Sequence, residues 1–140
     1  MPAGVLVLVV LGAIAVDAAV AFLGQREVSN AAAAAANDAV VVGLSDRAFY
    51  TSGLLEVDEA RALDVARRAV LARASRGVEV VDVSVTAEGA RVCVTVRGRV
   101  PYVFGRALPF VRSSASVQGR AGATAVAGAA GTAAPRGVDC

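Results

Sequence analysis

The chain contains no histidine, no lysine and no tryptophan, and only two cysteines among its 140 residues. Without an imidazole or a side-chain amine, Ser/His/Asp triads, histidine general bases, lysine Schiff bases and the lysine of a phosphate-binding loop are excluded. Two distant cysteines with no histidine cannot supply a tetrahedral zinc site. No glycine-rich element follows a strand and opens a helix. The acidic pair Asp58-Glu59 stands where a helix begins and capping accounts for it, while Asp38 and Asp46 lack apolar surroundings. An enzyme is therefore not expected, nor a cofactor, a metal or a small-molecule substrate. The 14 basic residues, all arginine, are spread along the chain against 12 acidic ones, so no basic block marks a nucleic-acid surface.

What is present is apolar: 56% of the residues are hydrophobic and 19% charged. The excess is concentrated in Ala3 to Gly24 (AGVLVLVVLGAIAVDAAVAFLG), where Asp17 is the one charged residue. As a helix this run spans about 33 Å, enough for the ~30 Å hydrocarbon core of a bilayer, and residues 1–24 are read as a transmembrane helix. The alternative is a cleaved signal peptide with its apolar core over Val5 to Val16 and small-residue sites at Ala13-Ile14-Ala15 or Ala19-Val20-Ala21. Met1-Pro2-Ala3 carries no basic residue, and helix-favouring sequence continues beyond Ala21, which favours retention. Arg26 beside Glu27 gives too small a charge bias to set orientation. A carboxylate at the depth of Asp17 costs about 2 to 3 kcal/mol unless it is compensated. Either Asp17 pairs with a partner's buried positive group inside the membrane, or the bilayer ends close to it and the side chain lies among headgroups.

Residues 25–42 (QREVSNAAAAAANDAVVV) read as a direct extension of the first helix, since alanine has the highest helix propensity and no glycine or proline intervenes before Gly43. Ala31, Ala32, Ala33, Ala34, Ala35 and Ala36 offer almost no bulk, so neighbouring backbones can approach closely. They form a candidate helix-packing face.

Residues 43–118 read as a small α+β domain. A surface loop over Gly43 to Leu55 carries Phe49 and Tyr50. A second, amphipathic helix over Asp58 to Arg76 follows, with Gly77 as a left-handed cap and an apolar stripe of Ala62, Leu63, Ala66, Ala69 and Val70. Val78 to Thr86 and Arg91 to Val100 alternate as strands. A two-residue turn at Glu88-Gly89 would pair Val85 with Val92, Val83 with Val94 and Val81 with Val96 on one face. A third strand is expected over Val111 to Gln118, with the second helix against the valine face and Tyr102, Phe104 and Phe110 available to complete the core. The Gly/Ala/Thr/Pro tail 119–140 lacks periodicity and reads as disordered, so Cys93 and Cys140 are expected to be unpaired thiols, a bridge between them being the alternative that an oxidising compartment permits.

Val16-Asp17-Ala18-Ala19, then Arg26 and the run Asn30 to Ala36, resemble the TadE/TadG-like proteins of tight-adherence (Flp-type) pilus systems of the actinobacterial type. In them the membrane helix closes on a Val-Asp-small-small element before an alanine-rich continuation. VDEARALDVARRAVLARA, the strand pair and VPYVFGRALPFVRSSASVQGRA extend the similarity over roughly Val5 to Ala121. The resemblance implies a pilin-like architecture and a minor pilin-like or pilus-assembly component. Its helix would pack among other pilin-type helices in the cell membrane as a single pass, and its domain would be extracytoplasmic. The second reading from the residues alone is a secreted or anchored binding module whose N-terminus is only a signal.

Overall fold

A computed structural model describes residues 2–44, 55–74, 77–105, 112–127 and 133–140. The fold is α+β. Helix α1 runs unbroken over Pro2–Gly43 (42 residues), followed by helix α2 over Glu59–Arg73. Strands β1 (Glu79–Glu88), β2 (Arg91–Pro101), β3 (Ser114–Ala127) and β4 (Ala133–Val138) form one antiparallel sheet in the order β1-β2-β3-β4.

At 1.5 Å per residue α1 is about 63 Å long, and its two halves meet different surroundings. From Val5 to Leu11 every side chain is exposed although nearly all are large and apolar. Beyond Asp17 one face turns inward, through Gly24, Val28, Ala31, Ala32, Ala35, Ala36, Ala39, Val40 and Gly43, the three-and-four spacing of a helix lying on a surface. That surface is the sheet. Gly119 of β3 lies so close to α1 that a Cβ there would stand 2.5 Å from the carbonyl oxygen of Val28 and 2.8 Å from the Cα of Ser29. A helix with bulk on this face could not approach the strand in this way. Ala31, Ala32, Ala35 and Ala36 are buried against the chain's own domain, Ala34 is half-buried and Ala33 is exposed.

Among the described residues the core is built from small side chains, the largest fully buried ones being Val40, Val70, Val92, Val94, Val96 and Val100. Helix α2 contributes Ala62, Ala66, Ala69 and Val70, with Leu63 partly buried, as its apolar stripe implies. Asp58 caps it, its carboxylate accepting the Arg61 N–H at 3.1 Å. The helix ends three residues earlier than its sequence suggests. Ala74 is extended (φ −61°, ψ 120°), its N–H still bonded to the Val70 carbonyl, and Val78 is buried where the sheet begins. An ion pair at 3.0 Å joins Arg73 to Asp38 of α1.

The β1–β2 hairpin keeps the expected face but not the expected register. The turn is Gly89-Ala90, with Gly89 at φ +57° and Ala90 not at positive φ, the glycine-first pattern of a II′ turn. Val85 therefore pairs with Val94 and Val83 with Val96, two residues from the pairing that a Glu88-Gly89 turn would impose. A two-residue slip preserves parity, so Val83, Val85, Val92, Val94 and Val96 still share the core face. Val81 does not. The register shifts between Val80 and Asp82, leaving Val81 as the extra residue of a bulge and 55% exposed, while Val80 turns toward the core.

Within the tail expected to be disordered, residues 119–127 and 133–138 lie in the sheet. Strand β3 continues through 119–127, with Val117, Gly119, Ala123 and Ala125 buried toward the helix, and β4 pairs with it from Gly122↔Val138 to Ala127↔Ala133. Pro135, which has no N–H to donate, lies in this edge strand, the position where a sheet tolerates it. Small residues here are the complement of an alanine helix. The cysteines are likewise joined: Cys93 and Cys140 form a disulfide, Cα–Cα 5.9 Å. Cys93, Gly122 and Val138 are aligned across three strands, and Cys140 folds back over Gly122, where a Cβ would lie 2.7 Å from its sulfur. The bridge closes a sequence separation of 47 residues, a contribution of about 4 kcal/mol on loop-closure entropy. Of the aromatics assigned to the core, Tyr102 is half-buried and Phe104 exposed; Phe110, like Phe49 and Tyr50, lies outside the described residues.

The bulge separates two adjacent valines in a testable way. Val83→Asp, on the core face, is expected to lower the unfolding free energy by about 3 to 5 kcal/mol. Val81→Asp should change it by no more than about 0.5 kcal/mol. Chemical denaturation of both variants checks this, and equal losses would mean that the strand has no bulge.

Candidate functional site

The residue singled out by its chemistry, Asp17, is where the free half of α1 becomes the packed half. One face of the helix, through Ala13, Asp17, Val20 and Ala21, is half-buried, and Gly24 is fully so. Strand β2 ends against this face. Val100 is fully buried opposite Gly24, where any Cβ would collide with the valine side chain. Pro101 closes the strand, and the chain turns toward the N-terminal end of α1 as the loop Tyr102–Gly105.

That loop delivers three consecutive backbone amides to the Asp17 carboxylate. Val103 N–H donates to Oδ1 at 2.8 Å, Phe104 N–H to the same oxygen at 3.1 Å, and Gly105 N–H to Oδ2 at 2.9 Å. The preceding amide, Tyr102 N–H, donates to the Ser113 carbonyl at 2.9 Å. Convergent backbone N–H groups are a general device for holding an anion, and hydrogen bonds to a charged acceptor are among the stronger ones. The compensation that an acid in an apolar run requires is thus supplied from within the chain. Sequence reasoning found Asp17 but not its partners, because backbone amides leave no mark in a sequence.

Two turns further along α1, the Gln25 carboxamide meets both backbone groups of one strand residue. Its Nε2 donates to the Gln118 carbonyl at 2.6 Å, and its Oε1 accepts the Gln118 N–H at 3.2 Å. Strand β4 reaches only as far as Gly122, so among the described residues the beginning of β3 has no strand beside it on that side. Gln25 occupies the place of the missing strand and satisfies groups that would otherwise invite another chain.

The side chains of the loop point the other way. Val103 is 57% exposed and Phe104 46%, at the level of the helix turn that carries Asp17, while Val16, Phe22 and Leu23 of α1 are exposed as well. Among the described residues no cluster of three or more His, Cys, Asp or Glu could hold a metal ion, and no buried side-chain nitrogen or oxygen lacks a partner. Within those residues the arrangement is suited to positioning and docking: a polar joint enclosed by apolar surface. Comparison with protein families, curated proteins and solved structures finds no match to this chain.

Asp17→Ala would leave three amides without their acceptor, at a cost of about 1 to 3 kcal/mol to the docked loop. Amide hydrogen exchange in the detergent-solubilised chain should accelerate at Val103, Phe104 and Gly105. Asp17→Asn, which keeps one acceptor oxygen, should accelerate it less. Unchanged exchange in the alanine variant would mean that the loop is held by something else.

Proposed function

We propose that the protein is a membrane-anchored structural and interaction component, a minor pilin-like or pilus-assembly subunit. The observation that carries the reading is the unbroken course of α1 from an exposed apolar half into a half packed on an antiparallel sheet. Among the described residues α1 is long and apolar enough to cross a membrane, and none of its most apolar stretch is buried in the protein. A helix that is apolar all round and uncovered by its own domain needs lipid or other helices around it. A rigid rod of this kind transmits the position of its membrane segment to the domain without a hinge, as an assembly of packed subunits requires. The resemblance of Val5 to Ala121 to TadE/TadG-like proteins points in the same direction.

An extracytoplasmic domain is supported by the Cys93–Cys140 disulfide, since such bonds persist in oxidising compartments. A retained N-terminus is supported by the use the domain makes of it. Removal of the segment up to Ala21 would take away Asp17 and undo the three hydrogen bonds of the Tyr102–Gly105 loop.

A photo-crosslinking residue placed at Leu8 or Leu11, both exposed, tests the reading in the native membrane. Adducts with other single-pass helical subunits of one apparatus are expected, on a chain whose intact mass retains Asp17. Adducts with lipid alone, or a mature chain that begins beyond Ala21, would contradict it.

A further inference from the structure

We infer that the loop Tyr102–Gly105 is a second membrane contact, dipping its Val103 and Phe104 side chains into the lipid beside α1. The inference rests on the membrane-anchor reading and adds to it a place where the folded domain itself meets the bilayer.

The level of the loop is fixed by Asp17. The exposed apolar surface of α1 from Val5 to Leu23 covers about 27 Å of helix axis, close to a hydrocarbon layer of ~30 Å, and ends roughly 9 Å past Asp17. The exposed Phe22 and Leu23 continue the apolar surface of α1 over that distance. Residues bonded directly to Asp17 cannot lie far outside such a layer, and the three amides of 103–105 are bonded to it.

A loop is ordinarily kept out of lipid by its backbone, because N–H groups without an acceptor are costly where no water is present. Here the four amides from Tyr102 to Gly105 all have acceptors within the chain, one on Ser113 and three on Asp17. The carboxylate and the loop solve each other's difficulty: the amides compensate an acid in an apolar run, and the acid silences the amides of a turn entering lipid. What the turn then presents outward is Val103 and Phe104. Tyr102 is half-buried at the base of the loop, and tyrosine is a residue that membrane interfaces favour. Lipid is the occupant that the level of the loop favours, since Val103 and Phe104 continue the exposed apolar surface of α1 at the height of Asp17.

The chain has no tryptophan, so one can be introduced as a single reporter of environment. Three variants of the full chain, each reconstituted in phosphatidylcholine vesicles, suffice: Phe104→Trp in the loop, Leu8→Trp in the apolar half of α1, and Leu71→Trp on α2. The last is exposed near the Arg73–Asp38 pair, about 30 Å further along α1 than Asp17. Phe104→Trp should emit at shorter wavelength than Leu71→Trp and be quenched by lipids carrying a nitroxide near the headgroup, while Leu71→Trp should be quenched by aqueous acrylamide. Adding Asp17→Ala to Phe104→Trp should abolish the lipid quenching. If Leu8→Trp is quenched by nitroxide lipids but Phe104→Trp behaves like Leu71→Trp, the loop contact is wrong and the anchor stands. Should Leu8→Trp also escape lipid quenching, both fall. Lipid quenching of Phe104→Trp that survives Asp17→Ala would overturn the role given to the carboxylate.

Discussion

The structure depends on one close approach, the backbone of α1 at Val28 and Ser29 lying directly on β3 at Gly119. Dispersion falls off steeply with distance, so a helix and a sheet made of alanine, glycine and valine can form a dense core only by coming nearer to each other than bulkier residues would permit. Most of the other choices follow. The inward face of α1 is alanine from Ala31 to Ala39, Gly24 admits Val100, and β3 runs Gly119, Ala121, Ala123, Ala125 toward the helix. With so little area per residue to bury, the domain adds a covalent tie, the disulfide that fastens the edge-strand end to β2 across Gly122.

The same constraint explains what could be read from the sequence and what could not. The long helix, the stripe of α2 and the valine face of the hairpin were legible because each has bulk recurring at a helix or strand period. The hairpin register was not, since Glu88-Gly89 and Gly89-Ala90 are both acceptable turns and differ by a slip that preserves every face. The bulge at Val81 was invisible for a related reason: a run of valines looks the same in and out of phase. The part of β3 beyond Gln118 and strand β4 read as a disordered tail because a surface facing alanines is built from small residues, and hydrophobic periodicity does not register them. With the tail unplaced, nothing brought Cys140 to Cys93. Helix α2 ends at Arg73 rather than Arg76, shortly before Val78 is buried at the start of the sheet, a tertiary demand that helix propensity does not register.

The candidate site was half legible. Asp17 stood out as the one charge in an apolar run, and a need for compensation followed from elementary electrostatics. The compensating groups, backbone amides 86 and more residues away, could be found only in the fold. Gln25 is a similar case, an unremarked polar residue that proves to close a sheet edge at Gln118. Both lie where α1 passes from its apolar half to its packed half, so the polar groups of the helix are spent on joining the domain to the rod.

Gly119→Ala tests the close approach most directly, because it adds a single methyl group at the point where the backbone of α1 leaves no room. Gly137→Ala, with nothing within 4 Å of the added carbon, serves as its control. In the full chain in detergent, denaturant unfolding should show a loss of about 1 to 3 kcal/mol for the first and almost none for the second. A Gly119→Ala protein as stable as the parent would mean that helix and sheet are not in contact there, and the account of the core would fail.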